Sequence, residues 1–366
     1  MILSLLLPVL LCVWPLEHRD SVKTEIDWPQ LLPEDAMPVR NGYDIAVVGD
    51  IMMGTTFPEI RLPEHDGAML FSDCAGILSS ADVAAGNLEG VLCDEGESTK
   101  KVVEGRSYAF RTPVSYTGRL SEAGFDFLSI ANNHSRDFGA EGLASTIAVL
   151  DSAGIGYAGL PSCRYAVKRI AGTRFGFCAF GHNSHTLRHT DVSCVENILR
   201  ELKDSCDILI VSFHGGAEGA GMSHLPYGTE TYLGENRGNL RKFARLCIDL
   251  GADIVFGHGP HVTRAVELYK DRFIAYSLGN FCTPYGMNIS GVNGYAPVIE
   301  VKIARDGSFR KGKIHSFIQI PGKGPRHDYE NRTARHIAGL TEADIESPGI
   351  FITESGDIMR DGDGTF

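Results

Sequence analysis

Positive charge is in short supply in this chain. Lys and Arg number 34 against 46 Asp and Glu, a net charge of −12. A nucleic-acid binder ordinarily carries a basic footprint, so nucleic acid is not expected as a partner. Long apolar runs are also missing: none reaches the ~20 residues of a membrane-spanning helix. The longest, residues 2–16 (ILSLLLPVLLCVWPL), matches the apolar region of a secretory signal, although no Lys or Arg precedes it. Spaced cysteine pairs are absent too. There are nine Cys but no CxxC, which excludes zinc-ribbon and thioredoxin-type sites. Cys178 and Cys247 lie inside apolar patterns, where a thiol acts as a small hydrophobe. One or two disulfides stay open to the other cysteines if the chain is exported. No repeat of fixed period and no low-complexity block is present.

What the chain does have is one recurring grammar. A short apolar run ends abruptly in glycine and polar residues. Asp44–Val48 leads to Gly49-Asp50, and Ala81–Ala85 leads to Gly86-Asn87-Leu88-Glu89. Phe125–Ile130 leads to Asn132-Asn133-His134-Ser135-Arg136-Asp137, and Asp207–Phe213 leads to His214. Ala252–Phe256 leads to Gly257-His258-Gly259-Pro260-His261. Such runs suit strands buried on both faces. In open α/β sheets, ligands collect beyond the carboxyl ends of strands. Between the runs, helical spacing predicts helices near 69–80, 115–123, 142–153, 195–203 and 240–250. Two alternating segments, Val298–Ile303 and Lys313–Ile320, read as an antiparallel pair turning at Asp306-Gly307.

The expected architecture is therefore α/β, with two mixed sheets packed together and helices outside. We divide the chain into an apolar signal or anchor at 1–16, a linker at 17–42, a main domain at 43–320 and a peripheral tail at 321–366.

The five strand ends deliver Asp50, Asn87, Glu89, Asn133, His134, His214, His258 and His261. Carboxylate, amide oxygen and imidazole suit Mn, Fe, Zn or Mg rather than a thiolate-seeking metal. One or two such ions would clamp a phosphoryl oxygen and acidify a bound water, with His134 beside them as a proton donor. Arg264, just after His261, suits pairing with a carboxylate or phosphate of the substrate. Lys100, Lys101, Arg106 and Arg111 cluster in a charged stretch, either a solvated face or a landing site for an anionic polymer.

The series Gly-Asp-Ile-Met-Met-Gly, Asn-Leu-Glu, Ala-Asn-Asn-His-Ser-x-Asp, Phe-His-Gly-Gly-x-Glu, Gly-His-x-Pro-His-Val and Tyr-Ser-Leu-Gly-Asn-Phe resembles the CapA/PgsA capsule-synthesis family over roughly 44–282. That family is related to the calcineurin-like metallophosphoesterases and linked to poly-γ-glutamate capsules. The resemblance implies a four-layer αββα sandwich, usually exported or anchored outside the cytoplasmic membrane. It implies metal ligation by Asp50, Asn133, His214, His258 and His261, with the bridging position at Asn87 or Glu89. It also implies a leaving-group acid at His134, grouped with Asp137 as the catalytic pair, and a family glutamate at Glu218 near the substrate. The chain departs from the metallophosphoesterase pattern at Met52, where a histidine is expected, and in having His-Gly-Pro-His for the final His-x-His. Two readings follow. One is a metal-dependent hydrolase of a phosphoester or polymer linkage. The other is a non-catalytic subunit that grips an anionic polymer for a membrane-bound synthase or exporter.

Overall fold

The computed structural model describes residues 41–103 and 107–362. The proposed signal at 1–16, nearly all of the linker and Arg106 lie outside the described residues. Among the described residues, no helix is long and apolar enough to cross a membrane.

Two sheets lie face to face. In the first, Gly42–Ile51 is central. It runs parallel to Val83–Leu88 and to Asn280–Cys282, and antiparallel to Val298–Ala304. Phe127–Ser129 and Gly156–Ala158 extend one flank in parallel. Phe309–His315, Asp357–Arg360 and Ile350–Ile352 extend the other as an antiparallel meander. The second sheet is centred on Thr173–Phe180, Ile208–His214, Ile254–His258 and Arg272–Ala275, all parallel. Antiparallel strands Tyr165–Ile170 and Val266–Tyr269 close its two edges.

Period-two alternation assigns each strand residue to a layer. Ile45, Val47, Val83 and Ala85 point inward and meet Phe175, Phe177, Ile208, Ile210, Ile254 and Phe256 of the other sheet. Ala46, Val48 and Ala84 point outward and pack with Leu78, Leu120 and Leu150, which lie on the helices Ala75–Ser80, Thr117–Ala123 and Gly139–Ser152. Cys178, Phe180, Leu209 and Val211 point outward from the second sheet, under the helices Val192–Lys203 and Leu240–Asp249. The result is the αββα sandwich, with both sheets mixed. Cys178 on the second sheet and Cys247 on the helix that covers it are buried thiols, and the described cysteines are free.

The carboxyl-terminal region corrects the expected peripheral tail. Helix Arg332–Asp344 inserts Ala334 and Ile337 into the core between the sheets, and two later strands complete the first sheet. The continuous strand expected over Lys313–Ile320 breaks at Ser316. The Ser316 hydroxyl turns aside to accept from the Ala334 amide at 3.0 Å, at the start of that helix. Phe317–Ile320 then pairs with Gly324–His327 instead. Strand Arg272–Ala275 gives way to single bridging bonds, the Tyr276 amide to the Ala265 carbonyl and the Leu278 amide to the Gly257 carbonyl. The helix expected near 69–80 is regular only over Ala75–Ser80.

If the tail belongs to the core, Ile337→Ala, at a side chain with no solvent exposure, lowers unfolding stability by ~2–5 kcal/mol. A peripheral tail would leave the urea midpoint unchanged.

Candidate metal-binding site

The parallel strands of both sheets end on the same side of the sandwich. Asp50 and Asn87 are register partners in the first sheet, as are His214 and His258 in the second. Asp50, Asn87, Glu89, His214 and His258 are all fully buried. Gly49 makes the seam between adjacent segments tight. A Cβ there would lie 2.0 Å from the Gly279 carbonyl oxygen, the group that accepts from the Asp50 amide at 2.8 Å.

Ligand atoms of Asp50, Glu89 and His214 fall within 4.8 Å of one another. An ion with bonds of about 2.0–2.2 Å would draw such a set together by a small contraction. His258 Nδ1 is 3.5 Å from Asp50 Oδ1, and His214 Nε2 is 3.2 Å from Glu89 Oε2. Glu89 Oε1, Asn133 Oδ1 and both ring nitrogens of His214 and of His258 are buried without hydrogen-bond partners among the described residues. Each such orphan costs ~1–3 kcal/mol unless something satisfies it. Their donor chemistry fits a divalent cation.

Burial pushes His214 and His258 down, each to about 3, despite the Asp50 carboxylate beside them. Both rings are neutral near pH 7, the form a metal requires. Burial acts the same way on His261. There the hydrogen bond and charge of Asp50, with Glu89 and Glu218 behind, outweigh it and push that ring up to about 9.

His261 sits at φ 57°, in the left-handed region, after Gly259 at φ 111°. This path lets the His-Gly-Pro-His departure return its second imidazole to the site. Its Nδ1 lies 3.0 Å from Asp50 Oδ2 and 3.1 Å from Asn280 Oδ1, so that nitrogen carries the proton. Glu218 Oε2 stands 4.0 Å from His261 Nε2, at the mouth, and Glu218 Oε1 accepts from Arg237 at 2.8 Å.

Two expected roles change. Asn87 is not arranged as a ligand. Its NH2 group donates to Asp50 Oδ1 at 2.8 Å and to Glu89 Oε2 at 2.5 Å, while its oxygen accepts from Asn132 at 3.0 Å. Turned the other way, the oxygen would face two carboxylates, so the amide is a spacer and Glu89 presents the acid. Arg264 is not available to a substrate. It is fully buried, both terminal nitrogens pair with Glu230 at 2.8 Å, and Nε donates to the Met222 carbonyl at 2.8 Å. Asn133 stands half-buried beside the site with its oxygen free for a ligand, but it is Asn132 that joins the buried network.

The expected catalytic pair does meet. His134 Nδ1 donates to Asp137 Oδ2 at 2.7 Å, which leaves Nε2 facing Glu89 Oε1 at 3.8 Å. Burial would raise the Asp137 carboxyl, yet His134 and Lys100 hold it below the usual range. Of the charged stretch, Lys100 reaches this pair, whereas Arg111 bonds Thr56 and Gly96. Met52, in place of the expected histidine, is buried packing between Gly90 and Gly286.

Sequence reasoning missed one wall. After Thr173–Phe180 come Gly181 and His182, and the His182 ring stacks 5.7 Å from that of His214. His185 Nε2 lies 3.2 Å from Ser135 Oγ. The same rule of strand, then glycine, then polar residue would have found this wall if applied to that strand.

The described family Bacterial capsule synthesis protein PGA_cap matches residues 44–285. The capsule biosynthesis protein CapA of Bacillus anthracis is 29% identical over 262 residues, 66% of this chain and 60% of that protein. The PGA biosynthesis protein CapA of Bacillus subtilis is 30% identical over 264 residues, 65% and 63% respectively. The chain thus spans about three fifths of the length of these relatives. A 5'-nucleotidase precursor from Thermus thermophilus overlays with a TM-score of 0.44 at 12% identity, covering 83% of this chain and 60% of that one.

Two outcomes test the revised roles. Arg264→Gln strands the Glu230 carboxylate, so it lowers stability by ~3–5 kcal/mol; an unchanged denaturation midpoint would return Arg264 to the substrate. Asn87→Asp puts a third carboxylate between Asp50 and Glu89 and lowers metal-free stability by at least ~2 kcal/mol. Excess Mn2+ should raise the melting temperature of this variant more than that of the parent. Equal melting temperatures without metal would remove the spacer role.

Proposed function

The chain belongs to the bacterial capsule synthesis family PGA_cap, and on that premise we propose that its buried carboxylate–histidine pocket is a divalent-metal-dependent hydrolytic centre. The observation that carries the reading is the convergence of Asp50, Glu89 and His214 from two sheets, with buried ligand atoms left unpartnered. Asp50, Glu89 and His214 would hold the ion, with His258, His261 and Asn133 beside them. When bound, such an ion polarises a phosphoryl or carbonyl oxygen and supplies an activated water.

The chain's own residues do the rest. Asn87 keeps the two carboxylates apart and aimed. Asp137 holds His134 by Nδ1, so that Nε2 hands a proton to the departing oxygen. Asn280 and Asp50 fix the His261 ring. Arg237 holds Glu218 at the mouth, where it meets the substrate.

The substrate in this reading is a phosphoester or a linkage of an anionic polymer, met outside the cytoplasmic membrane. The competing reading, a polymer-gripping subunit of a membrane synthase or exporter, draws on Met52 and on the amide at position 87. Both place neutral groups where a two-ion hydrolase would want ligands.

The purified chain, loaded in turn with Mn2+, Zn2+, Mg2+ or Fe2+, is assayed on bis-p-nitrophenyl phosphate and on anionic polymers. Hydrolysis with at least one ion is expected. His134→Ala should keep the metal and lose ~10²-fold or more in kcat, whereas His214→Ala should lose both. Stoichiometric metal with no turnover on any substrate would favour the gripping subunit. Turnover retained in His134→Ala would remove that residue from the chemistry.

A further inference from the structure

The turn that presents His134 is tied down from outside. A short stretch of the surface loop after residue 93 lies across it. The Thr99 amide donates to the Asp137 carbonyl at 2.8 Å, and the Thr99 hydroxyl donates to the Arg136 carbonyl at 2.9 Å. Lys100 Nζ donates to the Asn133 carbonyl at 2.8 Å and pairs with Asp137 Oδ1 at 2.6 Å. A local turn, with the Lys100 amide donating to Ser98 Oγ at 3.1 Å, aims the lysine inward.

Asp137 has no solvent exposure, while the Lys100 side chain keeps 30% of its own. The other Asp137 oxygen takes the Phe110 amide at 2.8 Å and His134 Nδ1 at 2.7 Å. Lys100 Nζ also comes within 3.3 Å of His134 Nδ1. That nitrogen's proton already goes to Asp137, so the ammonium's own protons go to Asp137 and to the Asn133 carbonyl. The His134 ring rests against Phe110, their centroids 4.5 Å apart. Both faces of the carboxylate are thus held, and the imidazole has one orientation left, with Nε2 toward Glu89.

We infer that Ser98–Lys100 is a strap over the turn from Asn133 to Asp137, and that Lys100 is the positioning residue that locks the Asp137–His134 pair. The strap rests on geometry alone; its kinetic consequence rests on the hydrolytic reading. A lysine whose protons point into the protein is not a docking point for an anionic polymer.

The test uses the full chain with bound Mn2+ and three variants: Lys100→Met, Lys100→Arg and Thr99→Val. Amide hydrogen exchange followed by mass spectrometry reads the strap without needing turnover. Lys100→Met should speed exchange at the Thr99 and Phe110 amides about tenfold or more. It should also lower kcat on bis-p-nitrophenyl phosphate about tenfold or more, with KM within about twofold and metal content unchanged. Lys100→Arg should restore both. Thr99→Val should loosen exchange over 96–101 and leave kcat within about threefold, since the ion pair remains. Exchange at Thr99 unchanged in Lys100→Met, or Lys100→Arg behaving no better than Lys100→Met, overturns the proposal. Faster exchange in Lys100→Met with no turnover in any variant supports the strap and counts only against the hydrolytic reading.

Discussion

Two carboxylates, Asp50 and Glu89, lie at zero exposure on either side of one amide. In a low-dielectric interior, like charges this close repel far more strongly than in water. Asn87 answers with the two protons of its NH2 group, one to each acid, and its oxygen is turned away and held by Asn132. Burial keeps His214 and His258 neutral against the pull of Asp50, the same carboxylate draws a proton onto His261, and carboxylate oxygens and imidazole nitrogens are left without hydrogen-bond partners among the described residues, a set that suits a cation.

The fold supplies this pocket through the seam between its sheets. Parallel strands in both sheets finish at the same level, so residues of the 40s and 80s meet residues of the 210s and 250s. Around that seam the chain fixes its loops by ion pairs turned inward. Arg264 and Glu230 pin the segment that carries Glu218, since Glu230 also accepts the Ala217 amide at 2.9 Å. Lys100 pins the turn that carries His134. Buried pairs of this kind contribute modest net stability, but breaking one leaves a stranded charge. They therefore act mainly as geometric constraints on the groups nearer the site.

Much of this was legible before any coordinates. The apolar run Asp44–Val48, the runs into His214 and His258, and the helical spacing near 195–203 and 240–250 each placed an element within a few residues of its observed span. The tail was misread because Ala334, Ile337, Ile350 and Ile358 are scattered through a largely polar stretch, and such residues complete a core only once a core exists to receive them. Arg264 was misread because an arginine near a histidine carries no mark of whether Glu230, 34 positions earlier, already occupies its fork.

By itself, the sequence determined the layer pattern, the positions at which strands stop, and the set of acids, amides and imidazoles delivered there, because these depend on periodicity and on local backbone chemistry. The tertiary structure alone decided what each group does with its neighbours. An asparagine is a ligand or a spacer according to which way its amide is turned. An arginine or lysine is a substrate contact or an internal strut according to which acid reaches it first. Those choices belong to partners far apart in the chain, where hydrogen-bond reach of about 3 Å is decided by packing and not by spacing.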